Sequence, residues 1–531
     1  MLLLAGWGLK SNVKTSAAWK RGQGDAVRNS APYMTADATQ LQRRLLARTL
    51  CRGWPGWVSP LAVVLGVLAL AGPVAAGNLT ITPSLELREI FSDNIDLAPD
   101  GQDQSALTTE IVPGITLRSE SARVTAALNA FPIIRHQTAG SDEGVSIAGD
   151  LVGLGTVEAF EDLFFIDSQI SISQEILNSR EVDSTANEKT VAVFRVSPYL
   201  RNRFGGFAEG EVRYRLGKVF IDSQEDAGAV TVSDSTNHGL SLSLDSGADF
   251  SRFRWSVNAL GTYEDRPDDD DVTRWETGLE AEYAFNRSIS VLAAAGYQFF
   301  EDGDDANDID DPTWRVGFRW RPGPRTDLRV SYGHRDDSQS ANLKFSYDIT
   351  ARSSITASYS EVLEKSQERL VRNVSLVELD PESNQFNDPQ TGLPFDSNQS
   401  PFDIDNETSR IKTFRWGING VRGRNTFGIN GAVQNKETEP GALEEDAISL
   451  GGRFARRLSP RLTLNLFAGY ERFEFDDGQE DDEYRLTAGL NYELYKNLRA
   501  DLQYGFGLQK SNVDTSEFTE NRLTASLRMT F

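Results

Sequence analysis

The sequence predicts an all-β protein, a transmembrane antiparallel β-barrel of about 22 strands, within a range of 18–22. Three observations carry that expectation. Segments of about ten residues alternate apolar and polar positions through most of the chain. Their connections alternate short and long. The chain also ends on one of these alternating segments, RLTASLRMTF (522–531), at a position where most soluble domains fray.

The alternation is clearest near the C-terminus. In NLRADLQYGFGLQ (497–509), Leu498, Ala500, Leu502, Tyr504, Phe506 and Leu508 share one face, with Arg499, Asp501 and Gln503 on the other. YRLTAGLNYEL repeats the design through Leu486, Ala488, Leu490, Tyr492 and Leu494. Further upstream, ISVLAAAGYQF does so through Ile289, Val291, Ala293, Ala295, Tyr297 and Phe299. Period-2 patterning makes each segment a strand with one oily and one wet face. A soluble sandwich or propeller would need a packing partner for every oily face, and no blade-length repeat is visible. A closed barrel in lipid needs none and leaves no backbone edge unpaired.

The connections supply the direction. From residue 203 onward, short turns such as RFGG (203–206), DFS (249–251), NRS (286–288), PGPR (322–325), RGRN (422–425) and YKN (495–497) alternate with longer polar tips. The tips include 222–236, EDRPDDDDV (264–272), EDGDDANDIDD (301–311) and DDGQEDDE (476–483), and the largest covers 365–409. Strict alternation puts short periplasmic turns on one rim and long acidic extracellular loops on the other. RDDS (335–338) is the exception, short on the long side. Ten residues at about 3.3 Å, tilted near 45°, span roughly 23 Å, close to the apolar band of such barrels.

Three regions follow. Residues 1–42 read as an upstream extension, either untranslated or disordered. Residues 43–76 read as a signal peptide, with Arg43, Arg44, Arg48 and Arg52 before the apolar run 61–71 and small residues leading to cleavage after Ala76. Residues 77–531 form the barrel. Within it, Pro83, Pro113, Pro132 and Pro198 each remove a ladder donor, so 80–120 reads either as wall or as a plug or periplasmic segment. Residues 365–409 read as a long loop, extracellular or folded inward.

A net charge of −24, from 78 acidic and 54 basic residues, excludes the basic face that nucleic-acid binding requires. One cysteine, Cys51, and three scattered histidines exclude a disulfide framework and point to no metal and no cofactor. Polar positions of the strands carry candidate pore-lining arginines: Arg213 and Arg215 with Glu211, Arg329 with Asp327, Arg485 with Glu493, and Arg499 with Asp501. They either set selectivity through charged rings or simply pair and stiffen the wall. The acidic tip 301–311 lacks the spacing of a calcium loop and reads as a solvated surface. His334 beside Asp336 and Asp337 is the single cluster resembling catalytic chemistry, without a nucleophile elbow, and no catalytic residue is expected. Three function classes remain: a channel or conduit, a barrel enzyme, and a structural or surface-interaction barrel. Outer-membrane lipid and lipopolysaccharide are the expected surroundings. A strand ending in Phe531 fits the signal read by the barrel assembly machinery.

Three stretches add a family likeness: ITPSLELREIFSDNIDLAP (81–99), EDLFFIDSQISISQEIL (161–177), and WRVGFRWRPGPRTDLRVSYGHR (314–335) followed by ITASYSEVLE (355–364). With the C-terminal hairpins, they resemble the PEP-CTERM/exosortase system-associated outer-membrane β-barrel family, within the broader group of barrel porins. The likeness runs over about residues 79–531. It implies an outer-membrane protein encoded near exopolysaccharide biosynthesis and export genes, with polysaccharide or its export machinery as partner. It supplies no catalytic residues. The DDSQ that follows Tyr-Gly-His-Arg (332–335) departs from the family's usual aromatic continuation.

Overall fold

The computed structural model describes residues 78–531, except 177, 183, 185–186, 223–231, 268, 304–307, 380–384, 388–394, 396–397, 399 and 439–442. The extension 1–42, the signal segment 43–76 and the cleavage position Ala76 lie outside the described residues.

Twenty-two strands form one closed antiparallel sheet. The first seven are β1 (Asn78–Ser92), β2 (Ala106–Glu120), β3 (Val124–Gln137), β4 (Gly144–Phe160), β5 (Phe164–Ile176), β6 (Glu188–Phe204) and β7 (Ala208–Ile221). Then come β8 (Ser235–Ser246), β9 (Phe253–Asp265), β10 (Val272–Ala284), β11 (Ile289–Glu301), β12 (Ile309–Trp320), β13 (Thr326–Arg335), β14 (Ser338–Thr350) and β15 (Ser353–Glu364). After a helix, α1 (Ser366–Val374), and a separate two-stranded ribbon, β16 (Glu378–Leu379) with β17 (Phe386–Asn387), the wall resumes. It continues as β18 (Ser409–Arg422), β19 (Asn425–Thr438), β20 (Leu443–Arg457), β21 (Leu462–Glu474), β22 (Glu480–Tyr495), β23 (Leu498–Ser511) and β24 (Phe518–Thr530). Each wall strand pairs with its neighbour in sequence, and β15 pairs with β18 across the insertion.

The C-terminal strand closes the cylinder. β1 pairs with β24 from Ser84↔Thr530 to Ser92↔Arg522, and the Phe531 N–H donates to the Pro83 carbonyl at 2.9 Å. In hydrocarbon an unpaired edge would leave a row of unsatisfied backbone groups, each costing several kcal/mol. The terminal strand is therefore bonded along both edges, to β23 and to β1.

Residues 80–120 are wall, not plug. β1 and β2 pair along their full lengths, Asn78↔Glu120 to Ser92↔Ala106. The prolines are tolerated because their missing donors fall where pairing is interrupted or ends. The β2–β3 ladder runs to Ile111↔Ile134 and resumes at Ile115↔Ala130, so Pro113 and Pro132 lie in the same gap. Pro83 sits just beyond the last β1–β24 pair. Pro198 sits in a gap of the β6–β7 ladder, between Val196↔Leu216 and Tyr199↔Arg213.

Outward positions form an apolar band with aromatic residues toward both rims, the pattern a bilayer selects. Phe207 meets Phe250 edge-on at 5.6 Å and Tyr283 meets Phe285 at 5.1 Å near the short turns. Trp314 meets Tyr332 at 6.2 Å toward the opposite rim. The short exception on that rim is a two-residue hairpin. Asp336 and Asp337 both hold φ of 53°, a left-handed turn that aspartate tolerates better than most residues.

Candidate functional site

Inward positions are mostly polar and charged, and the predicted arginines all lie on this face; Arg213 keeps the Glu211 its spacing suggested, and the others do not keep theirs. Arg213 binds Asp167 of β5 at 2.6 Å and Glu211 at 2.7 Å, and stacks on the Tyr199 ring at 3.7 Å. Arg329 pairs with Glu280 of β10 at 2.6 Å, while Asp327 is taken by Arg319 of β12. Arg485 bonds Glu483 at 2.8 Å rather than Glu493. Arg215 and Arg499 make no ion pair among the described residues. Arg213 and Arg329 take partners on other strands because long side chains on one face reach past the directly opposed position, whereas Arg485 pairs two residues along its own strand.

The described part of the 365–409 insertion folds inward. Its helix α1 packs on β5, β6, β7 and β8, well around the wall from β15 and β18 where it is rooted. Leu370 and Val374 are fully buried in an apolar cluster with Val371, Val191, Val193, Val219, Ile221, Val232 and Ile404. Inward valines on β6 and β7 would otherwise face water, so their burial drives the docking. The approach is close enough to require a glycine. A Cβ at Gly217 would sit 2.7 Å from Val371 Cγ1. Farther along the insertion, Val377 and Phe386 bury against Ala127 of β3, with Val152 and Leu154 of β4 beside them.

A second tip, between β5 and β6, crosses toward the same region. Arg180 is its anchor: it bonds Asp403 of the insertion at 3.1 Å, Glu445 of β20 and Asp476 beyond β21, and lies over the Phe475 ring at 5.0 Å. One guanidinium thereby ties both inward tips to the far wall. Burial pushes the Glu368 carboxyl on α1 up, against the opposing pull of Arg274 and helped by neighbouring Glu364.

Between these segments and the wall lies a cavity of about 950 Å³. Arg319, Arg329, Lys344 and Arg415 line one side, and Glu471, Asp481 and Glu483 the other, with Glu175 and Glu181 from the crossing tip. The cavity walls thus present opposite signs.

At the long-loop rim His334 meets Asp311, Nε2 to Oδ2 at 3.1 Å. Of the two aspartates adjacent in sequence, only Asp337 joins them, the three ligand atoms lying within 4.8 Å of one another. Asp336 turns inward to Arg274 and Arg335. His334 and the two carboxylates could hold a divalent ion. Ser338, the nearest hydroxyl in sequence, bonds Glu361 and the Arg335 carbonyl instead.

A closed antiparallel barrel with an apolar exterior and a charged lumen defines an integral outer-membrane β-barrel of the porin-like kind, and the protein belongs in the bacterial outer membrane. Residues 138–367 match the family "Gram-negative porin", and residues 434–531 match "Putative beta-barrel porin 2". No curated protein matches the chain. Among solved structures, the siderophore receptor PirA from Acinetobacter baumannii is similar at 7% identity and a TM-score of 0.47, covering 86% of this chain and 81% of that one. The FrpB iron transporter from Neisseria meningitidis is similar at 10% identity and a TM-score of 0.46, covering 85% and 81%. OccK8 (OprE) from Pseudomonas aeruginosa is similar at 11% identity and a TM-score of 0.32, covering 85% and 98%.

Neither α1 nor Arg180 stands out in the sequence. SQERLVRNV is short and mostly polar, with only Leu370, Val371 and Val374 to mark a face, and the carboxylates that hold Arg180 lie more than 200 residues away. The one available signal was the length of the insertion.

Proposed function

We propose that this protein is a non-enzymatic channel for hydrophilic solutes, narrowed from within by the 365–409 insertion and the β5–β6 tip. The docking of α1 on the inner wall carries this reading. A cylinder of 22 strands would be roughly 44 Å across its backbone, too wide to discriminate among small solutes unless something fills it. The cavity with basic and acidic sides gives solutes a polarised path. The family likeness extends the proposal to a conduit associated with exopolysaccharide export, with lipopolysaccharide around the wall and the barrel assembly machinery reading the terminal Phe531. The test is single-channel conductance of the purified barrel in planar bilayers, with added acidic oligosaccharide as a blocker. Discrete steps that the oligosaccharide blocks support the conduit. Steps without block leave a general channel. A barrel closed under every voltage and pH is instead a structural one.

A further inference from the structure

On the wall that α1 packs against, two strands leave buried polar atoms with nothing to bond. They are Gln169 Oε1 on β5, Arg195 Nε on β6 and Ser197 Oγ on β6. The register makes them neighbours: Gln169 pairs with Arg195, Arg195 with Gly217, and Asp167 with Ser197. Arg215 of β7 lies in the ladder gap beside Ser197, and it too has no bonding partner among the described residues. Ser197 is 1% exposed, so its hydroxyl is not simply solvated at a surface.

The neighbours do not neutralise this group. Asp167 and Glu211, the nearest carboxylates, are engaged by Arg213, and Glu211 also by Arg201. Arg195 therefore faces Arg213 and Arg215 with one shared carboxylate already in use. Beside Arg215 the facing residue on β8 is Gly239, and the Arg215 side chain lies over it: a Cβ there would meet Arg215 Cβ at 3.5 Å and Cδ at 3.8 Å. Two guanidinium groups without carboxylates, held near each other, favour an anion between them. Planar guanidinium forks match the oxygens of phosphate and carboxylate.

The geometry points to a binding site for an oxyanion borne on a hydroxylated solute, held by Arg195 and Arg215. Ser197 Oγ donates to the same anion. Gln169 Oε1, an acceptor, has no role toward an anion but accepts from a solute hydroxyl. A sugar acid or a sugar phosphate offers both groups. This deepens the channel proposal by naming a solute class, and it rests on solutes reaching the lumen.

Isothermal titration calorimetry on the purified full-length barrel in detergent tests the site, with inorganic phosphate and glucuronate as probes. Saturable binding is expected for at least one of them. Arg195→Gln and Arg215→Gln should each weaken it about tenfold or more, the scale of a lost charge-assisted bond, and Ser197→Ala about threefold. Arg195→Lys, which keeps the charge but loses the fork, should fall between wild type and Arg195→Gln. Arg203→Gln, on the same strand at the short-turn rim and paired with Glu209, should leave affinity unchanged. Heat-modifiable migration in gels checks that each variant is folded. Tighter binding of glucuronate identifies a sugar acid as the source of the anion, and tighter binding of phosphate identifies a phosphate ester. Absence of saturable binding to the folded wild type overturns the site, as does undiminished affinity in both arginine-to-glutamine variants. Conductance without anion binding would sink the site and leave the channel. Binding without conductance would do the reverse.

Discussion

Replacing Leu370 and Val374 together by alanine should release α1 from the inner wall. Both side chains are fully buried against β6 and β7. A buried Leu→Ala change costs about 2–5 kcal/mol, and the two methylene-equivalents lost from valine about 1.6 kcal/mol more. The two sites share a cluster and their effects are not strictly additive. A loss of about 4 kcal/mol still shifts docking by roughly a thousandfold. A nine-residue helix is roughly 14 Å long and 10 Å thick, so on the inner wall it obstructs at most about 140 Å² of the lumen. With a backbone diameter of roughly 44 Å and side chains lining the wall, the lumen is about 30 Å across, or about 700 Å². Release of the helix alone should therefore raise single-channel conductance by up to about a quarter, with added open-channel flicker. An unchanged step size in a barrel that still shows heat-modifiable folding would refute the inward restriction.

Arg180→Ala strands a cluster of three carboxylates, Asp403, Glu445 and Asp476. Breaking such a partly buried network costs about 3–5 kcal/mol, and the β5–β6 tip should become the first site of limited proteolysis in the intact barrel. Gly217→Ala inserts a methyl against Val371, costing docking about 1–3 kcal/mol, read as flicker without loss of folding. The raised pKa of Glu368 means the docked form holds that proton more tightly than the released one. Docking is weakest with Glu368 ionised and strengthens as pH falls through the raised value. Conductance should therefore drop on acidification, and Glu368→Gln should abolish that step while staying at the low-conductance level; a step that survives the substitution rejects Glu368 as its source. Deleting Phe531 removes the bond to Pro83 and should impair barrel assembly while export to the periplasm continues; normal insertion would count against a role for the terminal residue.

The wall was legible in the sequence because its code is local. Period-2 alternation in 498–508 or 289–299 depends only on residues next to one another, and lipid on one side makes every strand obey it. Turn length is equally local, so the alternation of rims and the closing role of 522–531 could be read directly. Even the RDDS exception is a matter of four residues, two of them able to hold a left-handed turn. The prolines misled in the first two strands. A lost donor is costly only where a partner acceptor waits, and pairing Pro113 with Pro132 in one gap depends on register, which a single strand does not display.

What the chain alone determined, then, is a lipid-facing cylinder with its polar residues inside. What only the tertiary structure decided is how that interior is filled. Arg180 meets Asp403 and Glu445, and Leu370 meets Val193 and Val219, across more than 150 residues of sequence. The orphaned atoms of Gln169, Arg195 and Ser197 acquire meaning only when β5 and β6 bring them together beside Arg215 of β7, on the wall a helix packs against. The physical reason is range. Burial against lipid acts on each residue by itself, whereas ion pairing and packing in the lumen act between residues that closure of the barrel makes neighbours.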